Sequence, residues 1–347
     1  MLPDLTRKLQ NEHRELSANE VRAALAALMS AAVADEEKAA FLLALRRKGE
    51  RAAEMSAFAE SLLALAVDPE IDLHRLDGPV IDLCGTGGDA LDLFNVSTTA
   101  MFLLAAGGAC VVKHGNRAVT SRSGGADVLM ELGVPTRLPP VRLRGSLERH
   151  GIGFFFAPDY HPAFQMIAPV RRMLAEQGER SVFNLLGPLL NPARPAHQLT
   201  GVFAAEFVPV FAAVFANLGR TRAWAVHGRV GDTPGMDEIS PLGPTELGCC
   251  DGTAVTIGRI ECAEFGLPPA PNLKALRGGG PVENARLLVG ILRGEITDAR
   301  RDFVLMNAAA GFVVAGLASS LALGVDLALA QITSGRAHAK LESARSA

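Results

Sequence analysis

Three stretches of this chain carry residue types that could hold an anion or a divalent cation. Gly85-Thr-Gly-Gly-Asp89 follows a short apolar run, and Asn95-Val-Ser-Thr98 opens the helical pattern that comes next. Glycines let a ligand approach the backbone, and a helix N-terminus adds N–H groups and the positive end of its dipole. Asn95, Ser97 and Thr98 add side-chain donors, so the run reads as a cradle for phosphate or pyrophosphate. A tight turn capped by Ser97 would explain the glycines alone; Asp89 and the Asn-x-Ser-Thr continuation exceed what a turn needs. Lys113-His-Gly-Asn-Arg117, continuing through Ser121 and Ser123 to Gly125, supplies positive charge, an amide and hydroxyls after a second apolar run. A lone basic pair there would read as a solvated loop. Gly235-Met-Asp237-Glu238-Ile-Ser240 sets two carboxylates side by side beyond another such run. Magnesium takes few carboxylates and fills its shell with water and substrate phosphate, so the pair suits Mg2+, although an isolated Asp-Glu is ordinary surface sequence.

Those loops need strands and helices to hold them. Val80–Cys84, Cys110–Lys113, Phe154–Phe156, Gly201–Phe203 and Ala223–Val226 are short apolar runs alternating with helical patterns, which predicts a mostly parallel sheet covered by helices. Both Gly-bearing loops then fall at the carboxyl ends of strands, where open α/β sheets bind ligands. Before residue 78 the pattern is helical only. Ser17-Ala-Asn-Glu20 is a capping box leading into Val21, Leu25 and Leu28; a second helix starts near Asp35 and stops at Gly49, which suits a left-handed cap; a third covers 52–66. The expected division is a helical domain at 1–77, joined by helices around 163–190, and an α/β domain at 78–347.

Composition narrows the class. Apolar residues make up 49% of the 347 and aromatic residues only 5%, so the core is Ala, Leu and Val, which favours packed helices and a buried sheet. A net charge of -3 offers nucleic acid no basic face. Five cysteines without a CxxC pair, and no secretory signal, point to the cytoplasm. Residues 303–325 lack charge over a membrane-spanning length, but their Ala, Gly and Ser content and the absence of flanking Lys/Arg asymmetry predict two closely packed buried helices. His227 reads as a packed strand-end histidine, His114 stays open, and no general base stands out.

Taken in order, Asp82–Asp89, Phe94-Asn-Val-Ser-Thr98, Lys113–Arg117, Phe183-Asn-Leu-Leu-Gly-Pro-Leu-Leu-Asn-Pro192, Gly235–Ser240, Gly278-Gly279 and Glu283-Asn-Ala-Arg286 resemble the anthranilate phosphoribosyltransferase family over nearly the whole chain. The resemblance implies a helical domain hinged to an α/β domain, a homodimer, and PRPP bound with Mg2+ between the domains. By position it assigns Gly85, Gly88, Asp89, Asn95, Ser97, Thr98, Lys113, Asn116, Arg117 and Ser121 to PRPP. Ser97, Asp237 and Glu238 are assigned to the metal, and Gly85, His114, Asn116, Arg180, Gly187 and Pro188 to anthranilate. The chain departs from the family pattern at Leu93 and Gly125, where hydroxyl residues are usual, and by three extra residues between Arg172 and Gly178. The alternatives are a related transferase or phosphorylase with another acceptor, and a catalytically silent binding protein. Intact Asp237-Glu238 and an intact Gly-rich loop speak against the silent protein.

Overall fold

The computed structural model describes residues 1–118 and 122–347. In chain order its elements begin with α1 (Leu2–Glu12), α2 (Ala18–Leu28), α3 (Asp35–Lys48) and α4 (Ala52–Ala64). There follow β1 (Val80–Gly85), α5 (Val96–Ala106), β2 (Cys110–Gly115), α6 (Gly125–Glu131), α7 (Pro140–His150), β3 (Ile152–Phe156), a short α8 (Ala157–Tyr160) and α9 (Ala163–Glu176). Next come β4 (His197–Gly201), α10 (Phe207–Asn217), β5 (Arg222–Gly228), β6 (Thr245–Asp251) and β7 (Ala254–Ile260), and last α11 (Pro281–Leu292), α12 (Ala299–Val314), α13 (Leu321–Thr333) and α14 (Arg336–Arg345). They form two compact units, Met1–Asp68 with Pro158–Pro192, and Pro69–Ala157 with Ala193–Ala347. Residues 69–77 thus pack with the second unit, nine positions before the boundary expected from the sequence.

The first unit is helical because its ends are chemically fixed. Ser17 Oγ accepts from Glu20 N–H while Glu20 accepts from Ser17 N–H, the reciprocal cap expected at α2. Three acids open α3 and three basic residues close it, matching its dipole. Gly49 ends α3 with φ 89° and ψ 124°, a positive φ that favours glycine as expected, although ψ lies outside the left-handed helical basin. Glu54 ties this unit together: its carboxylate accepts from Leu16 N–H and Arg51 N–H at 2.9 Å each and from the Lys48 ammonium at 2.6 Å. The residues between Arg172 and Gly178 make the last turn of α9, which Gly178 closes at φ 72°.

The second unit contains a seven-stranded sheet in the order β3-β2-β1-β4-β5-β6-β7. Its first five strands are parallel, and β5-β6-β7 continue as antiparallel neighbours. Both strands of the β6–β7 hairpin escape a sequence reading: all of Ala254–Arg259 is exposed, so no buried face marks out β7, and the buried positions of β6 include Thr245, Gly248 and Cys250 and form no apolar run. The fourth strand runs His197–Gly201, upstream of the expected Gly201–Phe203, since its buried Gln198 and Thr200 break the apolar signal.

Residues 303–325 form most of α12 and the start of α13, and among the described residues no helix is long and apolar enough to cross a membrane. Glycines set the helix spacing here. A Cβ on Gly107 would lie 2.4 Å from the Phe312 ring, on Gly311 2.8 Å from Leu104, and on Gly324 2.7 Å from the Ala309 carbonyl.

Candidate active site

The chain order of the strands reverses direction at β1, which has β2 on one side and β4 on the other. A crevice at the carboxyl ends of such strands is the usual ligand site of an open α/β sheet. The β1–β4 ladder continues to Gly85↔Gly201 and extends through Thr86 N–H to Gly201 O at 2.9 Å. The β1–β2 ladder stops after Ile81↔Val111, although both strands run four residues further. Regular pairing between β1 and β2 therefore ends here, and beyond this point, the fork, side chains bond the two neighbouring strands in place of the ladder.

Across the closed side lies the segment 235–240. A Cβ on Gly85 would fall 2.2 Å from Asp237 Oδ2, and one on Gly201 would fall 1.5 Å from the Asp237 carbonyl oxygen. Only hydrogen at both positions lets this loop rest on the sheet. Asp237 Oδ2 accepts from Gly87 N–H at 2.7 Å, where Gly87 and Gly88 both take positive φ. His227, fully buried, fixes the loop from the other end: its ring nitrogens lie 2.8 Å from Val202 O and 3.0 Å from Pro234 O. Gly235 is required there, because a Cβ would sit 2.3 Å from the His227 ring.

The electrostatics of the cluster follow from this crowding. Asp237 and Glu238 are half-buried. Burial, then the charge of Asp89, pushes Asp237 up to about 7. Burial, then the charge of Asp237, pushes Glu238 up to about 8, against the opposing pull of Lys113 and of Ser97 N–H at the start of α5. Lys113, only 4% exposed, donates to Leu83 O across the fork and to Ser97 Oγ at 3.2 Å. Among the described residues no three His, Cys, Asp or Glu side chains make a metal cage. Magnesium needs none when substrate phosphate and water complete its shell, and two crowded carboxylates held above their ordinary range lack the positive charge that a divalent cation supplies. Their oxygens, with the Ser97 hydroxyl, fit Mg2+.

The second loop is braced by residues that the sequence reading passed over. Asp127 Oδ2 accepts from Ala118 N–H at 2.8 Å and Gly124 N–H at 3.0 Å, clamping both ends of the 118–124 stretch. Ser121 lies outside the described residues. Asn95 donates to Ser123 O at 3.1 Å and accepts from Asn284 at 2.9 Å; Asn284 in turn accepts from Gly279 N–H at 2.8 Å. Asn284 therefore explains why Gly278-Gly279 and Glu283–Arg286 accompany the cradle, a link that spacing alone does not reveal. Gly88 and Asp89 are half-buried and Thr98 is buried; Gly125 occupies a place where a Cβ would lie 3.1 Å from Thr98 Oγ1. His114 is buried, while Asn116 and Arg117 are exposed, with Asn116 Oδ1 accepting Arg117 N–H at 2.8 Å. Leu93 bridges to Arg277.

The structure brings together residues 85–98, 113–118, 123–125 and 237–238. Arg180, Gly187 and Pro188 belong to the helical unit. Arg180 is half-buried between Gly178 and the 3₁₀ turn Val182–Asn184, whose start is held by Ser181 N–H to Asn184 Oδ1 at 2.9 Å. Gly187 is exposed and Pro188 buried in the next turn, Gly187–Leu190.

Two family models match the chain: the glycosyl transferase family a/b domain over residues 77–338 and the helical bundle domain of the same family over residues 3–66. The curated anthranilate phosphoribosyltransferase of Haloferax volcanii is 42% identical over 335 residues, 96% of each chain. The crystal structure of anthranilate phosphoribosyltransferase from Thermus thermophilus superposes with a TM-score of 0.88 at 40% identity, covering 99% of this chain and 98% of that one. The Saccharomyces cerevisiae enzyme in complex with PRPP and Mg gives 0.85 at 28% identity, covering 99% and 96%. The chain belongs to the anthranilate phosphoribosyltransferase family of glycosyl transferases.

Proposed function

We infer that this chain transfers the phosphoribosyl group of PRPP to anthranilate, giving N-(5-phosphoribosyl)anthranilate and pyrophosphate, in tryptophan biosynthesis. The observation that carries the reading is the Asp237–Glu238 pair seated on Gly85 and Gly201 and facing the start of α5, in a chain 42% identical to a curated enzyme of that activity. Bound Mg2+ would supply positive charge to the pyrophosphate as it departs. Asp237, Glu238 and Ser97 are proposed to hold that ion. Gly85, Gly88, Asp89, Asn95, Thr98, Lys113, Asn116, Arg117 and Ser121 are proposed to line the PRPP site. Its chemistry is positioning and electrostatic stabilisation of leaving-group charge, by backbone N–H groups at the glycines and by basic side chains. The aromatic amine is already a nucleophile, so no side chain is assigned as base. His114, Asn116, Arg180, Gly187 and Pro188, with Gly85, are proposed for anthranilate.

The same reading takes the chain as a cytoplasmic homodimer with small-molecule substrates and neither nucleic-acid nor membrane partners. Five free cysteines support the compartment, and the net charge of -3 supports the absence of a nucleic-acid partner. The test is direct: purified protein with PRPP, Mg2+ and anthranilate should consume anthranilate fluorescence, and absence of turnover with PRPP still bound would transfer the reading to another acceptor. Within that assay Arg180→Ala should weaken use of anthranilate by about ten- to a hundredfold, the worth of a charged hydrogen-bond pair, with PRPP affinity nearly unchanged.

A further inference from the structure

At the fork between β1 and β2 two side chains bond backbone groups of the facing strand. Lys113 reaches from β2 to Leu83 O of β1, and Asp82 reaches from β1 to His114 N–H of β2 at 3.2 Å. Lys113 already belongs to the proposed PRPP site; Asp82 does not. Asp82 is fully buried, opposite Gln198 in the β1–β4 register, and its second oxygen lies 3.7 Å from the Cys84 thiol. Arg220, 4% exposed, donates to Gln198 Oε1 at 3.2 Å and feels the Asp82 charge, which opposes the effect of burial on its guanidinium. A carboxylate with no surface is expensive to bury and is kept only when charge and hydrogen bonds compensate it.

We propose that Asp82 is a positioning residue: its carboxylate holds the His114 backbone across the fork, with Arg220, bonded to the facing Gln198, as counter-charge, and so fixes where the 113–117 loop leaves β2. This rests on the proposed function, since that loop carries residues assigned there to both substrates. Asp82 touches neither substrate. It acts through the His114 peptide, and through it on Asn116 and Arg117, whose exposed side chains depend on the direction in which the strand ends.

Hydrogen exchange of the His114 amide and steady-state kinetics, measured on the whole chain, test this together. Asp82→Leu with Arg220→Met removes both buried charges at once, so neither is stranded. That variant should exchange the His114 amide about tenfold faster and raise KM for PRPP about tenfold, with a smaller change in kcat. Asp82→Asn keeps an oxygen for His114 N–H and should recover most of both losses. Wild-type exchange at His114 in the double variant, or an unmoved KM, overturns the proposal. If the double variant does not fold, Asp82→Asn decides: a protected His114 amide combined with the tenfold KM defect would assign the effect to charge and overturn the positioning role. The exchange arm needs no substrate, so a wild-type chain without turnover would count against the proposed function and leave the hold on His114 to be judged separately.

Discussion

The two edges of β1 treat the same backbone in opposite ways. Toward β4 the ladder runs to the strand's end and glycines at 85 and 201 invite another segment to lie on it. Toward β2 the ladder stops four residues short, and charged side chains stand in for peptide groups. The closed edge gives a flat, rigid seat for carboxylates that must be held close together. The open edge lets side chains of one strand bond the backbone of the other. One strand can thus provide both a seat and a crevice, provided that small residues are confined to one side and long polar ones to the other.

Adding a methyl group should separate the edges most sharply. Gly201→Ala would set a Cβ 1.5 Å from the Asp237 carbonyl, backbone against backbone, whereas Gly115→Ala on the forked side meets only the Phe154 ring at 2.9 Å. Overpacking against backbone should cost about 3 kcal/mol and abolish turnover; the ring can give way, so Gly115→Ala should cost about 1 kcal/mol. Thermal melts with activity measurements on the pair would show it, and equal losses would dissolve the distinction.

Next in size is the carboxylate pair itself. Asp237→Asn with Glu238→Gln should leave the fold intact and lower turnover by about a hundredfold or more, as loss of an electrostatic element of an active site does. Calorimetry should then find PRPP binding indifferent to Mg2+. Retained metal dependence would move the ion to other ligands.

A further effect is on stability against pH. Asp237 and Glu238 ionise with difficulty in the folded chain and normally in the unfolded one, so between about pH 4 and 8 the folded state holds more protons. Unfolding free energy of the metal-free protein should therefore fall as pH rises through that window and level off above it. The doubly amidated variant should lack this component. Denaturant titrations at about pH 5, 7 and 8.5 would reveal the difference.

How far these features could be read without coordinates depends on whether local order or partner choice decides them. The cap at Ser17, the helix at Asp35 and the positive-φ loop glycines Gly87 and Gly88 are local, and each sits where its residues predict. Gly201 carries no such mark: its neighbours are a buried Thr200 and Val202, and its role appears only once Asp237 is folded over it. Asn284 and Asp127 are likewise invisible until their partners, far off in sequence or set inside a polar loop, are known. The edge strand β7 escapes for a different reason, since an exposed strand has no buried face to imprint a period.

Behind the sheet, α5, α12 and α13 meet through Gly107, Gly311 and Gly324, where an added Cβ would fall within 3 Å of the facing helix and something would have to shift. For a lineage carrying this fold, such contacts act as ratchets. A loop residue over the crevice can be exchanged one mutation at a time, but a larger residue at any of these three sites needs a matching loss of volume on the facing helix in the same step. This helix packing is thereby slower to drift than the loops it supports.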